Sequence, residues 1–193
     1  MTSVCDQNRL HFGDEVVDVG QVRAETAGAL AALDPAAQRT VFVVDTMRQA
    51  LGAVAFGLAG DLDFGVIERA RLSQEVEARF AEHGVRLIDV TDGTFLGGAS
   101  KGEMQPGRVT VLTSGTTGLL KLIPHTAQSL NTFDRVRDLP ENTWFLPYQI
   151  GSYAWYQMVA LGLFKAGQAL VPGDFSDLAA SFEDALRRGQ ITA

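Results

Sequence analysis

The sequence predicts an α/β protein, a mostly parallel sheet with flanking helices. Short β-branched apolar runs recur along the chain, longer stretches of helical period separate them, and Gly, Pro or Asp marks most of the junctions. Thr40-Val41-Phe42-Val43-Val44 is apolar without alternation, the mark of a strand covered on both faces. Strand-helix units in succession imply right-handed crossovers, and no repeat of fixed period interrupts them.

A helix is expected over Gln21 to Leu33, where Val22, Thr26, Ala29, Leu30 and Leu33 share a face before Asp34-Pro35 stops it. After the strand at 40–44, a second helix runs from Met47 to Leu58, and Gly60 with Asp61 ends it. Phe64 to Ile67 reads as a short strand. Ser73 is an N-cap ahead of Gln74, Glu75 and Glu77, and Gly84 closes that helix. Val85 to Ile88 follows as a strand, Asp92-Gly93 as a turn, and the Gly-, Ser- and Lys-rich stretch Gly97 to Gly107 as an exposed loop. Val109 to Leu112 is a buried strand. Further on, the pattern predicts helices over Thr126–Val136, Trp155–Lys165 and Leu178–Arg188, with strands over Thr143–Leu146 and Leu170–Val171. Ile191-Thr192-Ala193 reads as the start of another strand, so the chain is expected to be part of a longer protein.

With 193 residues, 46% of them hydrophobic and 20% charged, the chain can bury a core. A net charge of −7 and no lysine or arginine cluster argue against nucleic acid as a partner, because phosphate neutralisation needs a basic face. Cys5 is the only cysteine, which excludes an intrachain disulfide and fits a reducing compartment. There is no signal-like N-terminus and no apolar stretch of bilayer length, so a cytoplasmic protein without membrane attachment is expected. His11, His83 and His125 show no zinc-ligand spacing.

One run reads as chemistry: Thr113-Ser114-Gly115-Thr116-Thr117-Gly118, followed by Lys121. It leaves the carboxyl end of the Val109 strand, where nucleotide sites of α/β folds commonly lie. Glycines permit the backbone geometry that converges N–H groups on phosphate oxygens; the hydroxyls add donors, and Lys121 adds a compact cation. Leu119 and Leu120 stand between Gly118 and Lys121, so the Walker pattern fails, and no G-x-G-x-x-G is present. Gly52, Gly57 and Gly60 read as aids to helix packing. Composition alone leaves the Ser/Thr/Gly run equally readable as a solvated turn.

Thr113 to Lys121 closely resembles the phosphate-binding signature of the adenylate-forming superfamily, which includes acyl- and aryl-CoA ligases, peptide-synthetase adenylation domains and luciferases. Its extension Lys121-Leu122-Ile123-Pro124 is similar to the version in ligases that adenylate aromatic acids. His11 to Asp14 with the following helix, Met47 to Gly60, and Trp144 to Val171 resemble, more faintly, other parts of the family's large N-terminal domain. The resemblance implies that Thr113, Ser114, Gly115, Thr116, Thr117, Gly118 and Lys121 bind ATP, which would bring Mg2+, and that Lys121 is catalytic. It implies activation of a small carboxylic acid as an acyl-adenylate, with transfer to a thiol of CoA or of a carrier-protein pantetheine.

The run Leu146-Pro147-Tyr148-Gln149-Ile150-Gly151 resembles one wall of the family's acyl pocket, which makes Tyr148, Gln149 and Gly151 candidate substrate contacts. Many relatives carry histidine or asparagine where Gln149 stands; Gln can hydrogen-bond an acid but cannot titrate near neutrality. Tyr148, Tyr153, Trp155 and Tyr156 form either an aromatic pocket wall or ordinary core. The usual family histidine after the loop is replaced by Ala127, and His125 reads as packing or a cap. The expected organisation is an N-terminal α/β subdomain portion over 1–107 and a phosphate-loop subdomain portion over 108–193, incomplete at its C-terminus. The family's adenine, ribose, hinge and C-terminal lysine motifs would lie beyond Ala193, so the chain alone is expected to be inactive. A truncated, non-catalytic nucleotide- or partner-binding homologue is the alternative, and a generic α/β domain the third reading.

Overall fold

The computed structural model describes residues 3–33, 38–98, 104–114, 120–133, 135–136 and 139–192, with Ser114 and Leu120 described by their backbone alone. Two sheets form rather than one. The larger has the order β6-β5-β3-β4-β7-β8, built from β3 (Thr40–Val44), β4 (Phe64–Glu68), β5 (Arg86–Asp89), β6 (Phe95–Gly97), β7 (Arg108–Ser114) and β8 (Leu120–Thr126). Its central pairs, β5-β3, β3-β4 and β4-β7, are parallel, and antiparallel β6 and β8 close the two edges. The smaller sheet, β2-β1-β10-β9, joins β1 (Arg9–Phe12) and β2 (Glu15–Asp18) to β9 (Asn142–Leu146) and β10 (Gln168–Pro172). There β1 and β9 flank β10 in parallel.

Alternation along the strands sorts the core into two layers. Phe42 and Val44 of β3, Phe64 and Val66 of β4, and Val109 and Val111 of β7 face the main core. Helices α1 (Val19–Ala29), α2 (Met47–Ala59) and α5 (Tyr153–Phe164) contribute to it. Val41, Val43, Ile67 and Leu112 face the other way, beneath Phe80 of α3 (Gln74–Glu82). Helix α6 (Leu178–Arg187) buries only Ala185. Gly52 permits the close crossing of α1 and α2, since a Cβ there would lie 2.6 Å from the Val22 carbonyl oxygen and 2.5 Å from Thr26 Oγ1.

The helix starts follow the sequence. Asp18 accepts from the Gln21 N–H at 2.7 Å, Ser73 from Val76, and Ser152 from Trp155, while Thr46 and Gln49 form a capping box. Because Asp18 caps α1, that helix begins two residues before the expected Gln21 and is over by Leu30. The expected helix over Thr126–Val136 is a correction: among the described residues of that stretch only α4 (Ala127–Leu130) is helical, started by a Thr126/Ser129 capping box. It ends where buried Asn131 turns out of the helical region with ψ 72°, in an Asn-Thr pair that competes with the backbone for hydrogen bonds. Residues 190–192 are not a strand, although the Thr192 N–H reaches the Thr143 carbonyl of β9 at 3.1 Å.

The second correction concerns the run around Gly115. It does not lead from strand to helix but links β7 to antiparallel β8, with Thr113 opposite Lys121 and Ser114 opposite Leu120. The hydrophobic sequence Leu120 to Ile123 continues the sheet because Leu122 packs into the layer beneath α3. Pro124, which has no N–H, is tolerated because β8 is an edge strand. No described helix is long and apolar enough to cross a membrane.

Candidate functional site

Opposed residues of an antiparallel pair project to the same side, and so do alternate residues along each strand. Thr113 therefore shares a face with Lys121, and Lys121 with Ile123 and His125. The same face carries Val109 and Val111, both fully buried in the main core. At the carboxyl end of β7 that core opens: Thr113 is half-buried and Lys121 exposed. Among the described residues Lys121 forms no ion pair, so its ammonium is available to an anion. Gly115, Thr116, Thr117 and Gly118 lie outside the described residues, and the Ser114 side chain is likewise not described.

Across this face stands the connection from β9 to α5. Strands β4 and β7 pair only at Phe64–Val109 and Gly65–Thr110 and then part. Into that division α5 inserts Tyr156, whose hydroxyl oxygen accepts the Val66 N–H at 2.8 Å. Burial pushes the Tyr156 phenol far above its ordinary range, an effect the Val66 bond only partly opposes, so the group stays neutral. Trp155 packs edge-on against Tyr156 with ring centroids 5.0 Å apart and donates its indole N–H towards Met47 Sδ. Both rings are fully buried, which makes Trp155 and Tyr156 core rather than pocket wall.

Of the expected pocket residues, Tyr148 is 40% exposed and Gln149 half-buried, its carbonyl accepting the Ser152 N–H at 3.1 Å. The carbonyl of the buried Ile150 accepts from Arg71 at 3.1 Å. Gly151 holds the turn: its φ is +79°, and a Cβ would lie 2.6 Å from the Val66 carbonyl oxygen. Both neighbour and geometry are backbone, so neither yields easily. Gly151→Ala is expected to destabilise the protein by about 2–3 kcal/mol, read from urea unfolding. A change below 0.5 kcal/mol would show that this turn is not held as described.

The hairpin and the α5 side meet at His125. Its ring lies 5.0 Å from the Tyr153 ring at an interplanar angle of 42°. Nδ1 stands 3.3 Å from Ser129 Oγ, but the cap of α4 is Thr126, so of the two sequence readings of His125 the ring contact fits packing and not a cap. Missed was its strand setting, which the alternation Lys121, Ile123, His125 would have revealed had the segment been read as β. Burial lowers the imidazole pKa below its ordinary 6.5, favouring the neutral ring. Thr113 and Lys121 thus stand at one end of this face and His125, against Tyr153 of α5, four strand positions further along it; Tyr148, Gln149 and Gly151 occupy the turn that leads into Tyr153.

Elsewhere, a groove of about 860 Å³ opens at the other end of the smaller sheet, among Asn8, Arg9, His11, Asn142, Thr143 and Gln168. It contains none of the expected site residues. No group of three or more His, Cys, Asp or Glu among the described residues is placed to hold a metal ion.

No family model matches the sequence, and no curated protein matches it. The fold, however, is shared with solved structures. The N-terminal subdomain of Klebsiella oxytoca NpsA, in complex with 3-hydroxyanthranilyl-AMSN, superposes with a TM-score of 0.59 at 15% identity, over 92% of this chain and 53% of that one. The o-succinylbenzoate CoA synthetase MenE of Bacillus subtilis, in complex with ATP and magnesium ion, gives 0.61 at 17% identity, over 96% and 46%. CmiS6 gives 0.64 at 14% identity, over 95% and 53%. The chain spans about half the length of these structures. Its α/β architecture is the fold of the N-terminal portion of the adenylate-forming enzymes.

Proposed function

We propose that this chain supplies the triphosphate-binding part of an ATP-dependent carboxylate ligase. The observation that carries the reading is the pairing of Thr113 with Lys121 at the carboxyl end of β7, a hydroxyl and an exposed cation on one face. That donor set fits a polyphosphate: hydroxyls donate to its oxygens and the ammonium offsets their charge. Thr113, Ser114, Gly115, Thr116, Thr117, Gly118 and Lys121 would hold ATP, with Mg2+ arriving on the triphosphate. The strands on either side of the run pair antiparallel, and among the described residues the run is followed by β8 rather than by a helix N-terminus. Phosphate binding there rests on turn N–H groups, hydroxyls and Lys121.

When bound, ATP supplies the α-phosphorus: an acid carboxylate oxygen bonds to it, the bond to the bridging oxygen of the β-phosphate breaks, and pyrophosphate leaves with the electron pair. This chain contributes positioning and charge stabilisation, on which such transfers chiefly depend. Lys121 is the catalytic residue, following the charge that builds on the departing pyrophosphate. Tyr148, Gln149 and Gly151 would line the acid's side; Gln149 can hydrogen-bond a carboxylate or substituent without titrating. The thiol of CoA or of a carrier-protein pantetheine would then bond to the acyl carbon, the bond from that carbon to the AMP phosphate oxygen breaking and AMP leaving with the electron pair. Of the structures with this fold, one MenE is bound with the product analogue OSB-NCoA and PA1221 contains adenylation and PCP domains.

The test is ATP–pyrophosphate exchange by the full-length protein across a panel of aliphatic and aromatic acids. Exchange with at least one acid is expected. Its absence with every acid, in a folded protein, would overturn the proposal.

A further inference from the structure

His125 takes no part in the phosphate grip, yet it stands on the same strand face as Lys121 and against Tyr153. Its hydrogen bonds define what it can offer. Ser129 Oγ accepts the Thr126 N–H at 3.0 Å and lies 3.0 Å from the Thr126 carbonyl, to which its only proton is directed. The remaining lone pair of Oγ faces His125 Nδ1 at 3.3 Å, a longer separation. With the single hydroxyl proton assigned to the nearer Thr126 carbonyl, we assign the imidazole proton to Nδ1, which then donates to Ser129 Oγ. The neutral ring then has a lone pair on Nε2, and among the described residues Nε2 meets no partner.

Tyr153 complements it. The Tyr153 hydroxyl oxygen accepts from Gln157 Nε2 at 3.4 Å, which leaves its own proton for a ligand, and the residue is 39% exposed. An acceptor nitrogen and a donor hydroxyl thus sit on two adjoining rings, Tyr153 opening the helix that follows the Gln149 turn. Resting on the ligase reading above, we infer that His125 is a specificity-determining residue: its Nε2 accepts a hydrogen bond from a hydroxyl or amino substituent of the acid. The acid this favours is a ring acid with a donor group, flat enough to lie against the His125 and Tyr153 rings. An acid lacking the donor would leave Nε2 desolvated and unpaired, which a site penalises more than a missing methylene.

The test uses the full-length protein in the pyrophosphate-exchange assay with benzoate and its 2- and 3-hydroxy and amino derivatives. For wild type, the KM for the best donor-bearing acid should lie at least tenfold below that for benzoate. His125→Ala should raise KM for that acid tenfold or more, leave KM for benzoate within about twofold and leave KM for ATP unchanged. His125→Gln, whose side-chain carbonyl can accept, should recover part of the loss. A His125→Ala variant with equal effects on all the acids, or none, overturns the inference while the ligase reading stands. No exchange by wild type with any acid overturns both.

Discussion

Replacing Asp63 with alanine is expected to lower the free energy of unfolding by about 3–5 kcal/mol. The carboxylate is fully buried just before β4, and it receives two bonds from Arg108, one of them from Nε at 2.9 Å, and the Gln105 N–H at 3.0 Å. Arg39 adds a weaker contact at 3.8 Å. Removal of the carboxylate takes away the buried charge that faces both the Arg39 and the Arg108 guanidinium, themselves only 14% and 15% exposed. It also frees the Gln105 N–H, just ahead of β7. The effect should therefore exceed that of breaking any surface pair, such as Arg79–Glu82, worth about 0–1 kcal/mol. Urea unfolding followed by circular dichroism measures it. A loss under 1 kcal/mol would mean that the arginines find solvent without cost. Asp63→Asn, which keeps an acceptor oxygen but not the charge, should fall between the two.

Lys121→Ala is expected to reduce kcat for pyrophosphate exchange about 10²–10³-fold, or about 2.7–4 kcal/mol of transition-state stabilisation. Stability should change by less than about 0.5 kcal/mol, because Lys121 is exposed on an edge strand and pairs with no described carboxylate. The separation of the two readouts makes the result diagnostic: a charge used only in the transition state lowers kcat and kcat/KM together. An unchanged kcat in a variant of wild-type stability would remove Lys121 from the catalytic role.

Much of this fold is legible in the sequence, for reasons that differ by element. The strand over 40–44 appears at its expected bounds because both faces of β3 are covered, so every residue is apolar or β-branched. Ser73 caps α3 as expected because its role is local, set by a side chain three residues from its partner. What could not be read is non-local. Strand β8 begins with Leu120-Lys121-Leu122-Ile123, whose polar alternation is incomplete because an edge strand has one crowded and one open side. Pro124 further disguises it. At the site, the run from Thr113 to Lys121 stands out in the sequence, but neither the opposition of Thr113 and Lys121 across two strands nor the nearness of His125 to Tyr153 does: these neighbours come from different elements. Trp155 and Tyr156 shared a tyrosine-rich run with Tyr148 and Tyr153, and only packing separated core from surface.

The interleaving of the two sheets constrains how the molecule comes into being. Strands β3 to β8 are contiguous in the chain, so the larger sheet can assemble once residue 126 has been synthesised. Strand β1 must wait, because its parallel partner β10 lies where Arg9 meets Ala169. Only β2 is near enough to pair with it early, and an isolated hairpin is marginal in water. At about 5–20 residues per second the first eighteen residues spend seconds on a ribosome without their sheet. The late closure is then locked by Asn8, which donates to the carbonyls of Gly162 and Lys165 at 2.7 and 2.6 Å and accepts from the Gly167 N–H. One asparagine ahead of β1 thus completes an event that begins only after β10 emerges.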